Sequence, residues 1–349
     1  MPNFAHIATQ LAESGFIPDS VIRLGIRRLL RERRKSILPS NGSGKDDLAA
    51  FVNMMNQSPI ALVPQVANEQ HYEVPASFFT EVLGKHRKYS CCYWEEDTPG
   101  LDEAELASLR CTAERAGIAD GMDILDLGCG WGSFSLYAAE HYPAARITSV
   151  SNSSSQRAYI EEQARQRGLS NLRVVTADMN DFQAGKRFDR IVSIEMFEHM
   201  RNYRLLFERI SHWLKPGGRF FMHIFCHRTA AYEFVDAGPA DWMSRHFFSG
   251  GIMPSENLPL QFQEHLAIEN QWRWEGQHYQ KTAEAWLQNM DARKERIRPL
   301  FDQVYGEKDS QMWFMRWRIF FLSVSELFGA YDGQEWFVGH YLFSPRTPA

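Results

Sequence analysis

Asp126-Leu127-Gly128-Cys129-Gly130-Trp131-Gly132 completes one apolar run, Asp123–Leu127, and leads directly into a helix-forming stretch, Ser133–His141. Glycines at such a strand-to-helix junction allow a sharp turn and close backbone approach to a ligand. Open α/β sheets bind ligands at this carboxyl end of the strands. The spacing is GxGxG and lacks the third glycine of the dinucleotide fingerprint. Asp126 stands two residues before Gly128, where its charge would repel a pyrophosphate and suit a positive amino group.

Outward from this loop, short apolar runs alternate with helical stretches. Strands are expected at Asp123–Leu127, Arg146–Val150, Leu172–Thr176, Phe188–Ile194 and Arg219–Phe225. Helices are expected at Ser133–His141, Ser154–Gly168 and Tyr203–Leu214, the last stopped by Lys215-Pro-Gly-Gly218. This rhythm predicts an α/β fold with a doubly wound, parallel, Rossmann-like sheet covered on both faces. Beyond Phe225 the pattern turns irregular and aromatic. A sixth strand is expected at Leu266–Trp274, helices around Thr282–Arg293 and Met312–Phe328, and a closing strand at Glu335–Phe343.

The 349 residues are enough for one full core and a second lobe. A net charge of -5 lacks the basic balance of a general nucleic-acid binder, so no nucleic-acid partner is expected. No apolar run approaches the roughly 18 residues of a membrane span, and MPNFAHIATQLAESG lacks the basic start and apolar run of a secretory signal. Cys91, Cys92, Cys111, Cys129 and Cys226 form no CxxC pair. They fit reduced thiols in the cytoplasm, with no zinc site and no other metal expected. Between Val21 and Leu38, seven Arg or Lys side chains accompany apolar Ile22, Ile26, Leu29 and Leu30 at helical spacing. This basic amphipathic helix reads as a solvated face, a lid, a dimer contact or a membrane-surface element. Pro39–Gly44 then supplies a linker.

A ligand with a positive amino group suits Asp126, and S-adenosyl-L-methionine carries one beside its sulfonium. With Lys88–Trp94, Ser149–Gln156, Ala177–Phe182, Glu195–Met200, His223–His227, Asp241–Gly251 and Gln334–His340, the chain resembles the class I S-adenosylmethionine-dependent methyltransferases. More narrowly it is similar to the cyclopropane fatty acid synthase and coclaurine N-methyltransferase branch, and within that to the alkaloid N-methyltransferases. The resemblance implies a mostly parallel sheet with an antiparallel closing strand, a helical N-terminal lobe over residues 1–112 and a cofactor-binding core over 113–274. A helical insertion over 275–334 and the closing strand over 335–349 complete the division.

By this resemblance S-adenosyl-L-methionine would be contacted by Tyr89 and Ser90 from the N-terminal lobe, by Asp126, Gly128 and Gly130 at its amino-acid end, and by Ile194, leaving as S-adenosyl-L-homocysteine. Ser151, Asn152 and Gln156 stand where many methyltransferases hold the ribose with an acid. Asp178 and Met179 match the adenine-side pair, carboxylate to exocyclic amine and thioether to ring. Methyl transfer to an ammonium first requires removal of the proton that blocks its lone pair. Glu195, Glu198 and His199 face one way if their turn is helical, and the resemblance makes Glu198 and His199 the base and substrate-binding residues, with Glu195 supporting. Tyr72 and Glu73 match the substrate side, where the acid attracts an amine. Phe225, Trp242, Phe248, Phe262 and Trp336 would supply aromatic walls for cation–π contact.

The expected partner is a small-molecule aromatic or alkaloid-like amine; a homodimer stays open. The rival activity is cyclopropanation or methylation of lipid acyl chains. There the resemblance gives a bound bicarbonate as base, at positions matching Cys91, Glu198, His223 and Tyr279. Glu195, usually glycine in the lipid enzymes, and a final helix without their usual cysteine both favour the amine branch. A non-catalytic cofactor-binding protein is a third reading, against which the intact Glu195, Glu198 and His199 set speaks.

Overall fold

In the computed structural model, which describes residues 4–37, 44–62, 75–238 and 241–346, the sheet is built around β1 (Asp123–Leu127). All five β1 residues are buried, as a central strand covered on both faces requires. The other strands are β2 (Arg146–Ser151), β3 (Leu172–Thr176), β4 (Phe188–Ile194), β5 (Leu214–His227), the short β6 (Tyr232–Glu233) and β7 (Ile252–Met253), β8 (Leu266–Trp274) and β9 (Trp336–Pro345). The main sheet has seven strands in the order β3-β2-β1-β4-β5-β9-β8. Strands β1 to β5 pair in parallel, and β9 is antiparallel to both β5 and β8. The order reverses at β1, which puts the switch point beside the glycine loop.

Period-two alternation along β5 divides the core. Phe220, Met222 and Ile224 face a cluster that includes Tyr203, Leu206, Phe207 and Ile210 of α8 (Tyr203–Trp213). The Asn202 side chain caps α8 by accepting from the Leu205 N–H. Phe221 faces the other way, packing with Ala113 and Ala116 of α5 (Leu101–Ala116) and with Phe134 and Ala138 of α6 (Ser133–His141). Between β2 and β3 lies α7 (Ser154–Gln166). Helix α5 spans the point between 112 and 113 where the sequence places the start of the core.

The remaining helices build a cap above the carboxyl ends of the strands. They are α1 (Phe4–Glu13), α2 (Asp19–Ile37), α3 (Gly44–Asn56), α4 (Ala76–Val82), the short α9 (Trp242–His246), α10 (Gly276–Ala292), α11 (Lys294–Tyr305) and α12 (Glu307–Gly329). Helices α10 and α12 begin several residues before their expected starts, and α11 carries Pro299 inside it, which hid it from the helical pattern. Helix α8 stops at Trp213, just before Lys215–Gly218 as expected, and these residues already form an irregular start to β5, where the β4 register shifts.

The basic helix α2 is largely neutralised by its own protein. Arg23 pairs with Glu284 and Glu326, Arg27 with Glu326, Arg34 with Glu335 and Arg33 with Asp241. Its cationic stripe therefore docks on the acids of α10, α12 and neighbouring loops. Among the described residues no helix is long and apolar enough to cross a membrane.

Candidate functional site

The glycine loop forms the floor of two adjoining clefts that share Gly128, Gly130 and Glu195. Gly128 and Gly130 both have positive φ (75° and 54°), which L side chains rarely adopt. A Cβ on Gly128 would come within 2.7 Å of the Met196 side chain, whereas one on Gly130 meets nothing within 4 Å and faces the open cleft.

One cleft, of about 510 Å³, is lined by Arg87, Tyr89, Ser90, Asp126, Ser133, Ile194 and Glu195 among others. Asp126 is 1% exposed, accepts from the Ser135 hydroxyl at 2.5 Å, and is pushed up to about 7 by burial. The loop bearing Tyr89 and Ser90 is held by Glu105 of α5, whose carboxylate accepts from the N–H groups of Gly84, His86 and Lys88. Lys88 donates to the Ser90 hydroxyl at 2.7 Å. Sequence reading missed this Glu105 clamp.

The second cleft, of about 750 Å³, is lined by Ala61, Ser151, Asn152, Gln156, Asp178, Met179, Met196, His199, Met200 and Ser249 among others. Here local capping aims the polar groups. The Ser153 hydroxyl caps α7 by accepting from the Gln156 N–H, and the Ser151 hydroxyl donates to Gln156 Oε1 at 2.6 Å. That leaves Gln156 Nε2, buried, with no hydrogen-bond partner among the described residues. Asp178 closes a turn by accepting from the Asn180 N–H, and Asn180 in turn holds both backbone groups of Ala61, drawing the segment after α3 over the cleft. Ala61 lines this cleft without any sequence signal, and Met196 does so within the Glu195–Met200 stretch without having been singled out.

The clefts fit the cofactor the sequence implies. The glycine cradle, the unpartnered Gln156 amide and the equally unpartnered, buried Ser133 hydroxyl offer donors for its hydroxyls and carboxylate. Thus Ser90, Asp126, Gly128, Gly130, Asn152, Gln156, Asp178, Met179, Ile194 and Tyr89 all line one or both clefts.

Glu195 follows β4 directly and takes a left-handed φ of 48°, rare for a side chain of its size. This conformation turns its carboxylate into a slot of donors. Oε1 accepts from the Cys91 N–H at 2.9 Å and lies 3.1 Å from His223 Nε2; Oε2 accepts from the Tyr279 hydroxyl at 2.7 Å. Burial raises the Glu195 carboxyl, while Lys88, the Cys91 N–H and the Tyr279 hydroxyl oppose that. Glu198, on the 3-10 turn Phe197–His199, is fully buried. Its Oε1 accepts from the Phe225 N–H at 2.7 Å, and its Oε2 has no hydrogen-bond partner among the described residues. Burial and then the Glu195 charge push the Glu198 carboxyl well above the usual range. Of the two acids, the one with three donors carries the charge more easily, so Glu198 is the higher. Burial lowers His199 to about 4, so its imidazole is neutral near pH 7.

An aromatic wall closes this cluster. His199 stacks on Phe248 at 4.7 Å, Phe248 meets Phe225 at 5.4 Å, and Phe225 meets Phe328, which stacks on Tyr279. Phe225 and Phe248 therefore belong to the site, together with Phe328 and Tyr279. Three other expected wall residues are not brought here. Trp242 lies in a cap layer with its indole N–H tied to Glu13; Phe262 packs on Tyr203 in the core beside α8; Trp336 packs on His227 from β9. Strand β9 and the turn before β8 point Trp336 and Phe262 away from the cleft, and helix α9 carries Trp242 into the cap. Tyr72 and Glu73 lie outside the described residues. Among the described residues no group of His, Cys, Asp and Glu could hold a metal ion.

Residues 63–318 match the family model of mycolic acid cyclopropane synthetase. The chain is 38% identical to (S)-coclaurine N-methyltransferase of Thalictrum flavum subsp. glaucum, over 96% of this chain and 94% of that one. It is 28% identical to the cyclopropane-fatty-acyl-phospholipid synthase of Escherichia coli K12, over 84% and 76%. A crystal structure of coclaurine N-methyltransferase bound to N-methylheliamine and SAH superposes with a TM-score of 0.93 at 38% identity, covering 97% of this chain and 98% of that one.

Proposed function

The chain belongs to the mycolic acid cyclopropane synthetase family, and on that premise we propose that it methylates the amine nitrogen of a small aromatic, alkaloid-like acceptor. It is an S-adenosyl-L-methionine-dependent methyltransferase, as its relatives and the fit of its clefts agree. When bound, that cofactor supplies a methyl group on a sulfonium, an electrophile needing only an aligned lone pair. The protein's own task is to present the amine unprotonated, oriented and away from water.

Glu198 is the residue best suited to take the proton. One of its oxygens is anchored by the Phe225 N–H and the other is unpartnered and desolvated, so a proton is welcome there. That unpartnered oxygen is the single observation that carries the reading. His199, neutral and fixed against Phe248, accepts a hydrogen bond from an N–H and orients the acceptor. Glu195 has both oxygens engaged and acts as a fixed negative charge that favours a cationic amine and holds Glu198 ready to protonate. Phe225 and Phe248 form an aromatic face for the amine and exclude water.

One observation weighs against lipid chemistry. Three of the groups that the lipid-branch resemblance assigns to a bound bicarbonate, at Cys91, His223 and Tyr279, here converge on the carboxylate of Glu195. That slot already holds an anion from the chain itself. The test is a Glu198→Gln variant offered aromatic amines beside the wild type. Turnover should collapse while affinity for the cofactor product is kept; full turnover would remove Glu198 from the mechanism.

A further inference from the structure

A buried chain of hydrogen bonds runs from Glu195 along the face of the sheet that α5 covers. His223 Nε2 lies 3.1 Å from Glu195 Oε1, His340 Nε2 lies 2.9 Å from His223 Nδ1, and Arg115 Nη1 lies 2.7 Å from His340 Nδ1. Strand register builds it: His223 on β5 is the direct partner of His340 on β9, which is next to Trp272 on β8. Both imidazoles are fully buried, and Trp274 packs on His340 at 4.3 Å and on His223 at 5.3 Å. Helix α5 contributes Arg115, its guanidinium over the Trp272 ring at 5.2 Å.

The order of donors follows from one fact: a guanidinium only donates and keeps its charge. His340 Nδ1 must therefore accept from Arg115, which places the His340 proton on Nε2. That proton faces His223 Nδ1, which must accept in turn, so the His223 proton sits on Nε2 and points at Glu195. A second proton on either ring would set one donor against another. Burial, with Lys88 and Arg115 nearby, likewise keeps both rings neutral. The chain does not serve as a proton exit, because arginine cannot take up the proton at its end.

We propose that Arg115 and His340 are positioning residues that lock His223 in the tautomer donating to Glu195, keeping Glu195 an anion in its slot beside Glu198. The tautomer lock stands on the geometry alone; its effect on turnover rests on the function proposed above. The charged and titratable groups bearing on the two ends are Cys91, Tyr279, Lys88, His199 and Glu198 around Glu195, and Tyr93, Cys111 and Glu114 around Arg115. Without the lock, Glu195 loses its assured donor and protonates more readily. A neutral Glu195 no longer repels charge on Glu198, so Glu198 ionises at lower pH.

The test uses the full chain with long-range proton–nitrogen spectra of its imidazoles, beside pH–rate profiles for an aromatic amine. Wild type should show His223 and His340 both protonated on Nε2. Arg115→Met should lose that fixed pattern, lower kcat roughly tenfold as loss of such an orienting partner does, and move the acid limb of the profile to lower pH by about half a unit. Arg115→Lys, which keeps a donor for His340 Nδ1, should recover both. An Nδ1-protonated ring in the wild type overturns the lock. So does an Arg115→Met variant with wild-type tautomers, or one with altered tautomers but unchanged kcat and acid limb. If the tautomers behave as stated and no amine is turned over by the wild type, the lock holds and the proposed acceptor class is what fails.

Discussion

Replacing Glu198 by glutamine changes one atom of the carboxyl and almost nothing of its volume. Oε1 can still accept from the Phe225 N–H, so the turn Phe197–His199 keeps its anchor. The unpartnered Oε2, however, becomes an amide that cannot take a proton. No neighbour makes good the loss: both Glu195 oxygens are engaged, and His199, held at about 4, is a weak base. General-base catalysis contributes roughly 10²- to 10⁴-fold. With no substitute base, a fall in kcat of about a thousandfold is expected, ~4 kcal/mol of barrier. Glu198 lines neither cofactor cleft, so calorimetric affinity for S-adenosyl-L-homocysteine should stay within about twofold. Stability supplies an internal control with a defined sign. The folded-state carboxyl titrates above its unfolded value, so the wild type loses stability as pH rises through that range. The variant lacks that loss, and its thermal midpoint should gain on the wild type as pH increases. A variant with wild-type kcat, or one equally impaired in binding the cofactor product, refutes the reasoning.

Other consequences are as specific. The wild-type rate should fall with decreasing pH as Glu198 protonates; a profile flat down to pH about 5 would contradict a proton-accepting role. Gly128→Ala would place a Cβ 2.7 Å from the Met196 side chain at a φ of 75°, so cofactor-product affinity should drop at least about tenfold by calorimetry. Asp123 is held well below its usual range, chiefly by hydrogen bonding to Arg146 and also by Lys186 and Lys215. Its stabilisation is present above the unfolded value near 3.9 and is lost as pH falls below it. Because Arg146, Lys186 and Lys215 are themselves largely exposed, solvent screens these pairs, and Asp123→Asn should cost about 1 kcal/mol in denaturant unfolding at neutral pH, with the deficit narrowing in acid.

The parallel half of the sheet was legible because short apolar runs there alternate with helical stretches, and the glycine loop marks the reversal of strand order. Asp126, Ser151 and Asp178, which line the clefts, were singled out because the family resemblance falls on strand ends beside the glycine loop. Aromatic positions were harder. Phe225 and Phe262 are equally apolar in sequence, but alternation along β5 and the turn before β8 send one to the cleft and the other to the core. The basic face of α2 looked unpartnered because Glu284, Glu326 and Glu335 lie 261, 299 and 301 residues from their arginines along the chain. Arg115 and His340 escaped for the same reason: only the antiparallel register of β9 brings His340 to His223, and only the packing of α5 brings Arg115 to His340. The Glu105 clamp was illegible as well, since its partners are backbone N–H groups that no side chain announces.

The most direct measurement supplies the purified chain with S-adenosyl-L-methionine and, separately, a panel of aromatic amines and phospholipid vesicles. Formation of S-adenosyl-L-homocysteine and the mass of the acceptor are then followed. The geometry around Glu195, Glu198 and His199 predicts product with an amine and a methyl group on its nitrogen. Methylated or cyclopropanated lipid, with every amine untouched, would contradict it.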